Sequence, residues 1–418
     1  MVRRVVRHLV GLASLASSMR QQPALRPRPA MEFPGGALGS RCCGAAALAC
    51  GLLGSPLVCG AKELTAPQRF AAEAWRSTDK AFYDREFNGL GWFEERGAVM
   101  RAAKDPESSR AAVSGMLKKL GDKYTRYVAP DDYAKLVAAT LGDAAFVAGA
   151  GVTVVDAADG VLVVDVEPGA PADAGGLRPG DVLTAVDGLG NLEPATAIRA
   201  LRGDAGSSVD VTYVRGKAAP AKTQLKRAVV QLSTVRGDGN VVRVRAFALD
   251  TADLVRAKVD ATKGPLVLDL RGNGGGSLEG GIETAKLFLR AEAKVVDVID
   301  QRGAPFGYVA NEDGPYAGRQ LTVLVDDKTA SAAEVLTAAL QDNGAATVVG
   351  ANSDRTFGKG VIQTVLPLGD PPGNDGAVAV TVAKYSTPKG TDINGKGIGV
   401  DRTVACGLAD KAAACAAK

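Results

Sequence analysis

The C-terminal half of the chain alternates short apolar runs with segments of helical periodicity. From about Val229 onward strand patterns recur between helical patterns, and the chain has no internal repeat. This alternation predicts an α/β core, in which strands and helices pack in layers around one apolar interior. The predicted strands are 266–270, 321–325, 347–349 and 378–385, and the predicted helices are 278–289 and 332–341.

Residues 62–145 are predicted to form a small helical region. Thr65-Ala-Pro-Gln68 has the pattern of a capping box with a proline in the first turn. Asp105-Pro106 predicts the start of another helix, which Gly121 would end. The composition of this region indicates no particular chemistry.

Short strands and glycine-rich turns characterise residues 146–228. The turn Gly176-Leu-Arg-Pro-Gly-Asp181 separates predicted strands at 161–166 and 182–186. This pattern resembles a PDZ domain, and the resemblance implies that an extended C-terminal peptide binds as an added strand. The matching loop, whose N–H groups would hold the peptide's carboxylate, is Gly149-Ala150-Gly151-Val152. The alternative is that these glycines only shape a hairpin.

Residues 1–61 have the composition of a targeting leader. They contain seven arginines, no lysine and one acidic residue, whereas the chain from Lys62 onward has 43 basic and 45 acidic residues. The apolar stretch 45–58 is short for a membrane span and precedes a predicted cleavage site after Ala61. Two signals in series predict a chloroplast transit peptide followed by a thylakoid-lumen signal. The alternative is a bacterial export signal that starts at Met31, which would place the protein in the periplasm.

Removal of the leader has two consequences for chemistry. The single histidine, His8, would be lost, which excludes a Ser-His-Asp triad, a Cys-His pair and histidine-ligated zinc. The remaining chain has a net charge near zero and indicates no nucleic-acid partner. Cys406 and Cys415 are the cysteines left, and the sequence leaves open whether they form a disulfide or stay free.

Ser331 and Lys359 are the candidate catalytic residues. Ser331 opens a predicted helix, where free N–H groups and the positive helix end stabilise an oxyanion, although Ser331-Ala-Ala-Glu334 is also an ordinary capping box. Lys359 lies between two glycines after a buried strand. A lysine is normally solvated, but burial would lower its pKa and make it a usable base for the serine hydroxyl. Gln363 is positioned to orient the amine.

Several motifs together resemble the C-terminal processing, or tail-specific, peptidases. These motifs are Thr329-Ala-Ser-Ala-Ala-Glu334, Thr356-Phe-Gly-Lys-Gly360, Leu268-Asp-Leu-Arg-Gly-Asn-Gly-Gly-Gly276 and the PDZ-like run. The resemblance covers residues 64–402. It implies a multidomain α/β protein with a helical region, a PDZ-like β-rich domain and a crotonase-like serine protease core at 229–418, which part of the helical region would join.

The resemblance also implies roles for individual residues. Ser331 would be the nucleophile, Lys359 the general base and Gln363 its partner. The N–H groups of Gly275 and Ala332 would form the oxyanion hole. Asp342 matches a supporting position, although a surface acid at a helix end is the simpler interpretation. No cofactor or metal is expected.

Two departures from the family pattern concern the predicted site. Relatives have Arg-Asn-Asn-Pro-Gly-Gly where this chain has Arg271-Gly-Asn-Gly-Gly-Gly276, so the loop with the oxyanion donor lacks a stiffening proline. The segment 350–356 is about three residues longer than usual, and we expect the extra residues to bulge at the surface.

The resemblance is greatest to members that trim the photosystem II D1 precursor in the thylakoid lumen. It implies a monomeric, soluble endopeptidase that acts on the exposed C-terminal tail of a membrane protein at the membrane surface. The same chemistry on another lumenal or periplasmic substrate, and a catalytically silent peptide-binding protein, remain alternatives.

Overall fold

The computed structural model describes residues 63–140, 146–408 and 410–418. The predicted leader, residues 1–61, and its cleavage site lie outside these ranges. Within them, no helix combines the length and the apolar character that crossing a membrane requires.

Four helices form most of the N-terminal region, as the sequence predicts. Thr65 and Gln68 make both hydrogen bonds of the expected capping box, and Asp105 caps the helix that follows it. Both helix starts were therefore predicted correctly from the cap residues. The helices are α1 (Ala66–Ala81), α2 (Trp92–Ala102), α3 (Pro106–Lys118) and α4 (Pro130–Thr140), with a 3₁₀ turn at Phe87–Gly89.

This region is continuous with the C-terminal core. A short strand, β1 (Arg126–Val128), pairs antiparallel with a strand of the core, β17 (Ala377–Ser386). Helices α1 to α3 share an apolar cluster with Leu368, Val378 and Val380 of the core. Because strand pairing and apolar packing both cross the predicted boundary, this part of the helical region packs as one body with the core.

Residues 146–231 form a β-rich domain around a five-stranded antiparallel sheet. The strand order is β3-β4-β5-β6-β7, so that β3 lies at an edge of the sheet. A separate pair, β2 and β8, closes the domain and extends it three residues beyond the predicted end. The strands are β2 (Phe146–Gly149), β3 (Val152–Ala157), β4 (Gly160–Val166), β5 (Asp181–Val186), β6 (Ser208–Arg215), β7 (Ala221–Lys226) and β8 (Ala228–Gln231), with helices α5 (Pro171–Ala174) and α6 (Pro194–Leu201).

The core contains two sheets. The first has the order β18-β15-β14-β11-β10-β9 and is parallel except for β9, and the second contains β1, β17, β16, β12 and β13 in antiparallel pairs. The remaining elements are β9 (Val235–Asp238), β10 (Val241–Val244), α7 (Thr251–Val259), β11 (Leu266–Asp269), α8 (Leu278–Lys286), β12 (Lys294–Asp300), β13 (Pro305–Val309), β14 (Leu321–Val325), α9 (Ala332–Asp342), β15 (Thr347–Ala351), β16 (Val361–Pro367), β18 (Arg402–Val404) and α10 (Ala412–Ala417).

Helices α8 and α9 pack with both sheets around one apolar interior. The predicted strands and helices of the core are all present, and their ends differ from the prediction by at most three residues. Strands β11, β14 and β15 are parallel neighbours, so their carboxyl ends meet at one edge. In open α/β sheets this edge is where ligands bind.

Candidate active site

Three loops meet at the carboxyl ends of β11, β14 and β15. The Ala330 N–H, in the loop after β14, donates to the main-chain oxygen of Asn273, in the loop after β11, at 2.9 Å. The Phe357 N–H, in the loop after β15, donates to the main-chain oxygen of Thr329 at 3.0 Å. These hydrogen bonds bring the three predicted catalytic segments together around Ser331.

Ser331 begins α9 in an unusual backbone conformation. Its φ of 60° and ψ of −122° lie where non-glycine residues are seldom found, and such strain is commonly concentrated at functional sites. Ser331 and Glu334 have the reciprocal arrangement of a capping box, yet the Glu334 N–H donates to the main-chain oxygen of Ser331 at 2.8 Å. The partly exposed hydroxyl is therefore available for chemistry.

Glu334 connects the predicted nucleophile to the predicted base. The carboxylate is fully buried and accepts the N–H groups of Ser331 and Lys359, both at 2.8 Å. It also accepts the Thr356 hydroxyl at 2.6 Å and the Gly358 N–H at 2.7 Å. One carboxylate thus holds the backbone at Ser331 and the loop 356–359 in a fixed position relative to each other. Sequence reasoning treated Glu334 only as a cap, although its position three residues after Ser331 was visible in the motif.

Lys359 is partly buried among groups that act on its charge. Burial lowers the pKa of Lys359 below the ordinary value of a lysine, the nearby Arg126 lowers it further, and the Glu334 carboxylate opposes both effects. The amine lies 5.5 Å from the centre of the Tyr124 ring. A lowered pKa raises the fraction of neutral amine, which is the form that accepts a proton.

The structure gives Gln363 and Asp342 partners outside the Ser331–Lys359 pair. The Gln363 side-chain amide donates to the main-chain oxygen of Tyr124 at 2.7 Å. This hydrogen bond fixes the strand that follows Lys359 against the N-terminal region. The Asp342 carboxylate accepts the Lys389 N–H at 3.0 Å and lies 3.8 Å from its amine. Asp342 therefore supports a turn after β17 through its contacts with Lys389.

The predicted oxyanion donors lie beside Ser331. A Cβ placed on Gly275 would lie 2.7 Å from the Ser331 Cβ and 3.1 Å from the Ala332 nitrogen, so these segments touch. The Gly275 N–H, however, donates to the Asn273 Oδ1 at 2.8 Å. Asn273 is fully buried and also donates to the Val244 oxygen at 2.9 Å. In this structure the Gly275 N–H is thus engaged within its own loop, which sequence reasoning did not anticipate.

The predicted carboxylate-binding loop, Gly149-Ala150-Gly151-Val152, lies at the start of the edge strand β3. The Ala150 N–H donates to the Leu201 oxygen at the end of α6, at 3.1 Å. Gly151 has a φ of +75°, and its oxygen accepts the Glu167 N–H at 2.8 Å. The loop is therefore shaped as expected for close backbone approach, but one of its N–H groups already has an internal partner.

An ionic cluster joins the β-rich domain to the core. Arg236 contacts Asp165 at 2.5 Å and Glu167 at 2.6 Å, and Arg245 contacts both of the same carboxylates. Glu167 is buried and also accepts the Ser233 hydroxyl at 2.7 Å. Because the Glu167 N–H binds the carboxylate-binding loop, this cluster connects that loop to strand β9 and to the residue that follows β10.

The two cysteines outside the leader form a disulfide, which resolves the alternative that the sequence left open. Cys406 and Cys415 lie beside Arg271, a buried residue that pairs with Asp269 at 2.8 Å and leads into the glycine-rich loop. The sulfurs and the Asp410 carboxylate lie within 4.8 Å of one another. Since the sulfurs are bonded to each other, they offer no thiolate to a metal.

The lengthened segment before Lys359 lies at the surface, as expected. Asn352, Asp354 and Arg355 are exposed, whereas Thr356 returns to the interior to meet Glu334. The extra residues therefore leave the predicted base within the site.

Comparison with known proteins shows the family of this chain. The model of peptidase family S41 matches residues 239–404, and a PDZ domain model matches residues 162–215. Over 375 residues the chain is 35% identical to the chloroplastic C-terminal processing peptidase of Tetradesmus obliquus, covering 82% of this chain and 78% of that protein. The chain belongs to the C-terminal processing peptidases of family S41. It is therefore a serine-type peptidase with a PDZ domain.

Two further relatives support the assignment. The peptidase is 35% identical over 356 residues to the carboxyl-terminal-processing protease of Picosynechococcus, covering 81% of this chain and 84% of that protein. The solved photosystem II D1 C-terminal processing protease superposes with a TM-score of 0.56 at 32% identity. The alignment covers 82% of this peptidase and 94% of that structure, so the likeness includes both the PDZ domain and the core.

Proposed function

We propose that this peptidase removes a C-terminal extension from the photosystem II D1 precursor, with Ser331 as nucleophile and Lys359 as general base. The observation that carries this proposal is the buried Glu334 carboxylate, which binds the N–H groups of both residues. A shared buried anchor of this kind favours a fixed relation between nucleophile and base, which acyl transfer requires.

In the first step, the neutral Lys359 amine takes the proton of the Ser331 hydroxyl while the oxygen attacks the scissile carbonyl. The carbonyl oxygen becomes an oxyanion, which the Ala332 N–H at the start of α9 stabilises. The Gly275 N–H becomes the second donor once it leaves Asn273. Three consecutive glycines make this rearrangement of the loop easy.

In the second step, Lys359 returns the proton to the departing amine, and the C–N bond breaks. The tail leaves with a free amino terminus, and an ester remains on Ser331. A water molecule then attacks the ester carbonyl while Lys359 accepts its proton. The bond between the acyl carbon and the Ser331 oxygen breaks, Lys359 returns the proton to that oxygen, and the shortened protein leaves with a new carboxyl terminus.

The substrate and compartment are proposed from the relatives. The likeness to the photosystem II D1 C-terminal processing protease and to chloroplastic relatives supports the D1 precursor as substrate. The arginine-rich leader followed by an apolar signal supports the thylakoid lumen as the compartment. In this proposal the mature peptidase acts as a soluble monomer on a membrane-protein tail at the membrane surface.

The PDZ domain acts as both clamp and gate in this proposal. The substrate's terminal carboxylate binds the loop Gly149-Ala150-Gly151-Val152, and its tail extends along the edge strand β3. Glu167 connects this loop to Arg236 and Arg245 of the core. Through these contacts, binding of the tail to the loop can change the position of the PDZ domain relative to the core. Conversion of the substrate's terminal carboxylate to an amide should raise the apparent KM substantially. Equal turnover of both forms would contradict the clamp.

The test of the proposed function uses the mature protein and full-length D1 precursor. Intact-mass measurement should show loss of the C-terminal extension with the wild type and no loss with Ser331→Ala. A wild type that binds the precursor without cleaving it would instead indicate a peptide-binding protein. Cleavage of other lumenal tails but not of the D1 precursor would retain the chemistry and exclude this substrate.

A further inference from the structure

Three residues beside Lys359 have no part in the proposed mechanism. Lys123 and Tyr124 immediately precede Thr125 and strand β1, and Phe357 lies two residues before Lys359. The Lys123 amine lies 4.9 Å from the centre of the Tyr124 ring and 5.6 Å from that of the Phe357 ring. We call Lys123, Tyr124 and Phe357 the aromatic wall.

The hydrogen bonds of Phe357 and of its two neighbours leave the Phe357 side chain at the surface. Its N–H binds Thr329, two residues before Ser331, while its side chain is 53% exposed. The neighbours on both sides, Thr356 and Gly358, are held by Glu334, so the backbone at Phe357 cannot easily turn the ring inward. A large apolar ring is therefore presented to solvent close to the nucleophile.

Two polar groups of the aromatic wall lack partners. Within residues 63–140, 146–408 and 410–418, Lys123 takes part in no ion pair, and its amine is held only by the two rings. The Tyr124 hydroxyl is buried and finds no hydrogen-bond partner among the same residues. Leaving a buried hydroxyl such as that of Tyr124 unpaired costs about 1 to 3 kcal/mol, whereas the exposed Lys123 amine is solvated and open to an acidic group of a ligand.

The position of Lys359 indicates which part of a substrate meets this wall. The base that takes the serine proton delivers it to the leaving amine, so the departing segment lies on the side of the base. The Lys359 amine lies 5.5 Å from the Tyr124 ring, which places the aromatic wall on that side.

We propose that the aromatic wall binds the first residues of the departing tail and selects a tail with an apolar side chain followed by an acidic one. The apolar side chain packs on the exposed Phe357 ring, as aromatic surfaces do in other interfaces. The acidic side chain pairs with the Lys123 amine, which the two rings already hold in place. This proposal rests on the proposed function, because it assigns the tail to the side of Lys359.

The test compares peptide substrates that share one cleavage site and terminal sequence. Their first two tail residues are Leu-Glu, Leu-Gln or Gly-Glu, and kcat/KM is measured for each. The wild type should prefer Leu-Glu over Leu-Gln by on the order of fivefold, the upper range of an exposed ion pair. In Lys123→Gln this ratio should fall to about one, whereas the matched variant of an exposed helical lysine, Lys118→Gln, should keep it.

The apolar part is tested in the same way. The ratio of kcat/KM for Leu-Glu over Gly-Glu should fall severalfold in Phe357→Ala and be largely restored in Phe357→Leu. Thermal melting of each variant checks that it is folded. If the wild type cleaves the substrates with no preference, or if Lys123→Gln keeps the wild-type ratio, the aromatic wall is not the selecting surface. If the wild type cleaves none of them and matches Ser331→Ala, the proposed function itself is wrong.

Discussion

Replacement of Glu334 by glutamine is the most informative perturbation of this site. Glu334→Gln preserves the shape of the side chain but replaces one acceptor oxygen with an NH₂ group. The carboxylate accepts four hydrogen bonds, two at each oxygen, from donors in the serine and lysine loops. A buried amide can accept only at its one oxygen, so two of the four donors would face an NH₂ group.

The size of the effect follows from those two lost hydrogen bonds. A hydrogen bond to a charged group contributes about 1.5 to 3 kcal/mol, and the donors left behind are buried or partly buried. Loss of two such bonds should lower the free energy of unfolding by about 3 to 6 kcal/mol. Because this loss is concentrated at the link between Ser331 and Lys359, kcat should fall more than KM changes.

The same substitution has a defined effect on the pH dependence. The Glu334 carboxylate raises the pKa of Lys359, so its removal should lower that pKa further. In the proposed mechanism activity rises with pH as Lys359 loses its proton, so the acid limb of kcat should move to lower pH in Glu334→Gln.

Urea unfolding and the pH profile of kcat measure these two effects. The matched control is Glu279→Gln, because Glu279 also lies in the first turn of a core helix but is exposed. The control should keep wild-type stability and pH dependence. Wild-type stability of Glu334→Gln, or an acid limb that moves to higher pH, would refute the assigned role of this carboxylate.

Three other substitutions test separate parts of the account. Removal of the cation in Arg126→Gln should raise the pKa of Lys359 and move the acid limb of kcat to higher pH; an unmoved limb would contradict the assigned interaction. Gly275→Ala should lower kcat by about 10² to 10³, because the added Cβ would lie 2.7 Å from the Ser331 Cβ and displace the proposed nucleophile and oxyanion donor. Its control, Gly274→Ala, adds a Cβ in open space and should stay active. Cys406→Ser should lower the free energy of unfolding by about 2 to 3 kcal/mol in urea, and reductant should do the same to the wild type but not to the variant.

Periodicity and cap residues predicted most of the elements that form the site. The strand–loop–helix unit around Ser331 was predicted because β14 is apolar except for Thr322 and α9 starts at a recognisable cap. The pairing of β1 with β17 was not predicted, because it joins residues about 250 positions apart and depends on tertiary packing. That pairing places the segment before β1 beside Lys359.

Side-chain partners were harder to predict than backbone elements. Glu334 was visible as the fourth residue of a capping box, but its contacts with Thr356 and Gly358 depend on how a distant loop returns to the interior. The expected partner of Lys359, Gln363, instead binds the backbone of Tyr124. Spacing along one strand cannot show which neighbouring backbone group offers the better hydrogen bond.

The rate of serine acylation as a function of pH tests the central claim most directly. The rate constant of tail release under single-turnover conditions measures that step for the wild type and for Lys359→Arg. The wild-type rate should rise with pH to a midpoint below the ordinary pKa of a lysine, since burial and Arg126 lower the pKa of Lys359. Lys359→Arg should acylate on the order of 10² to 10⁴ more slowly, because a guanidinium stays protonated. A folded Lys359→Arg protein that acylates at the wild-type rate would show that another group is the base.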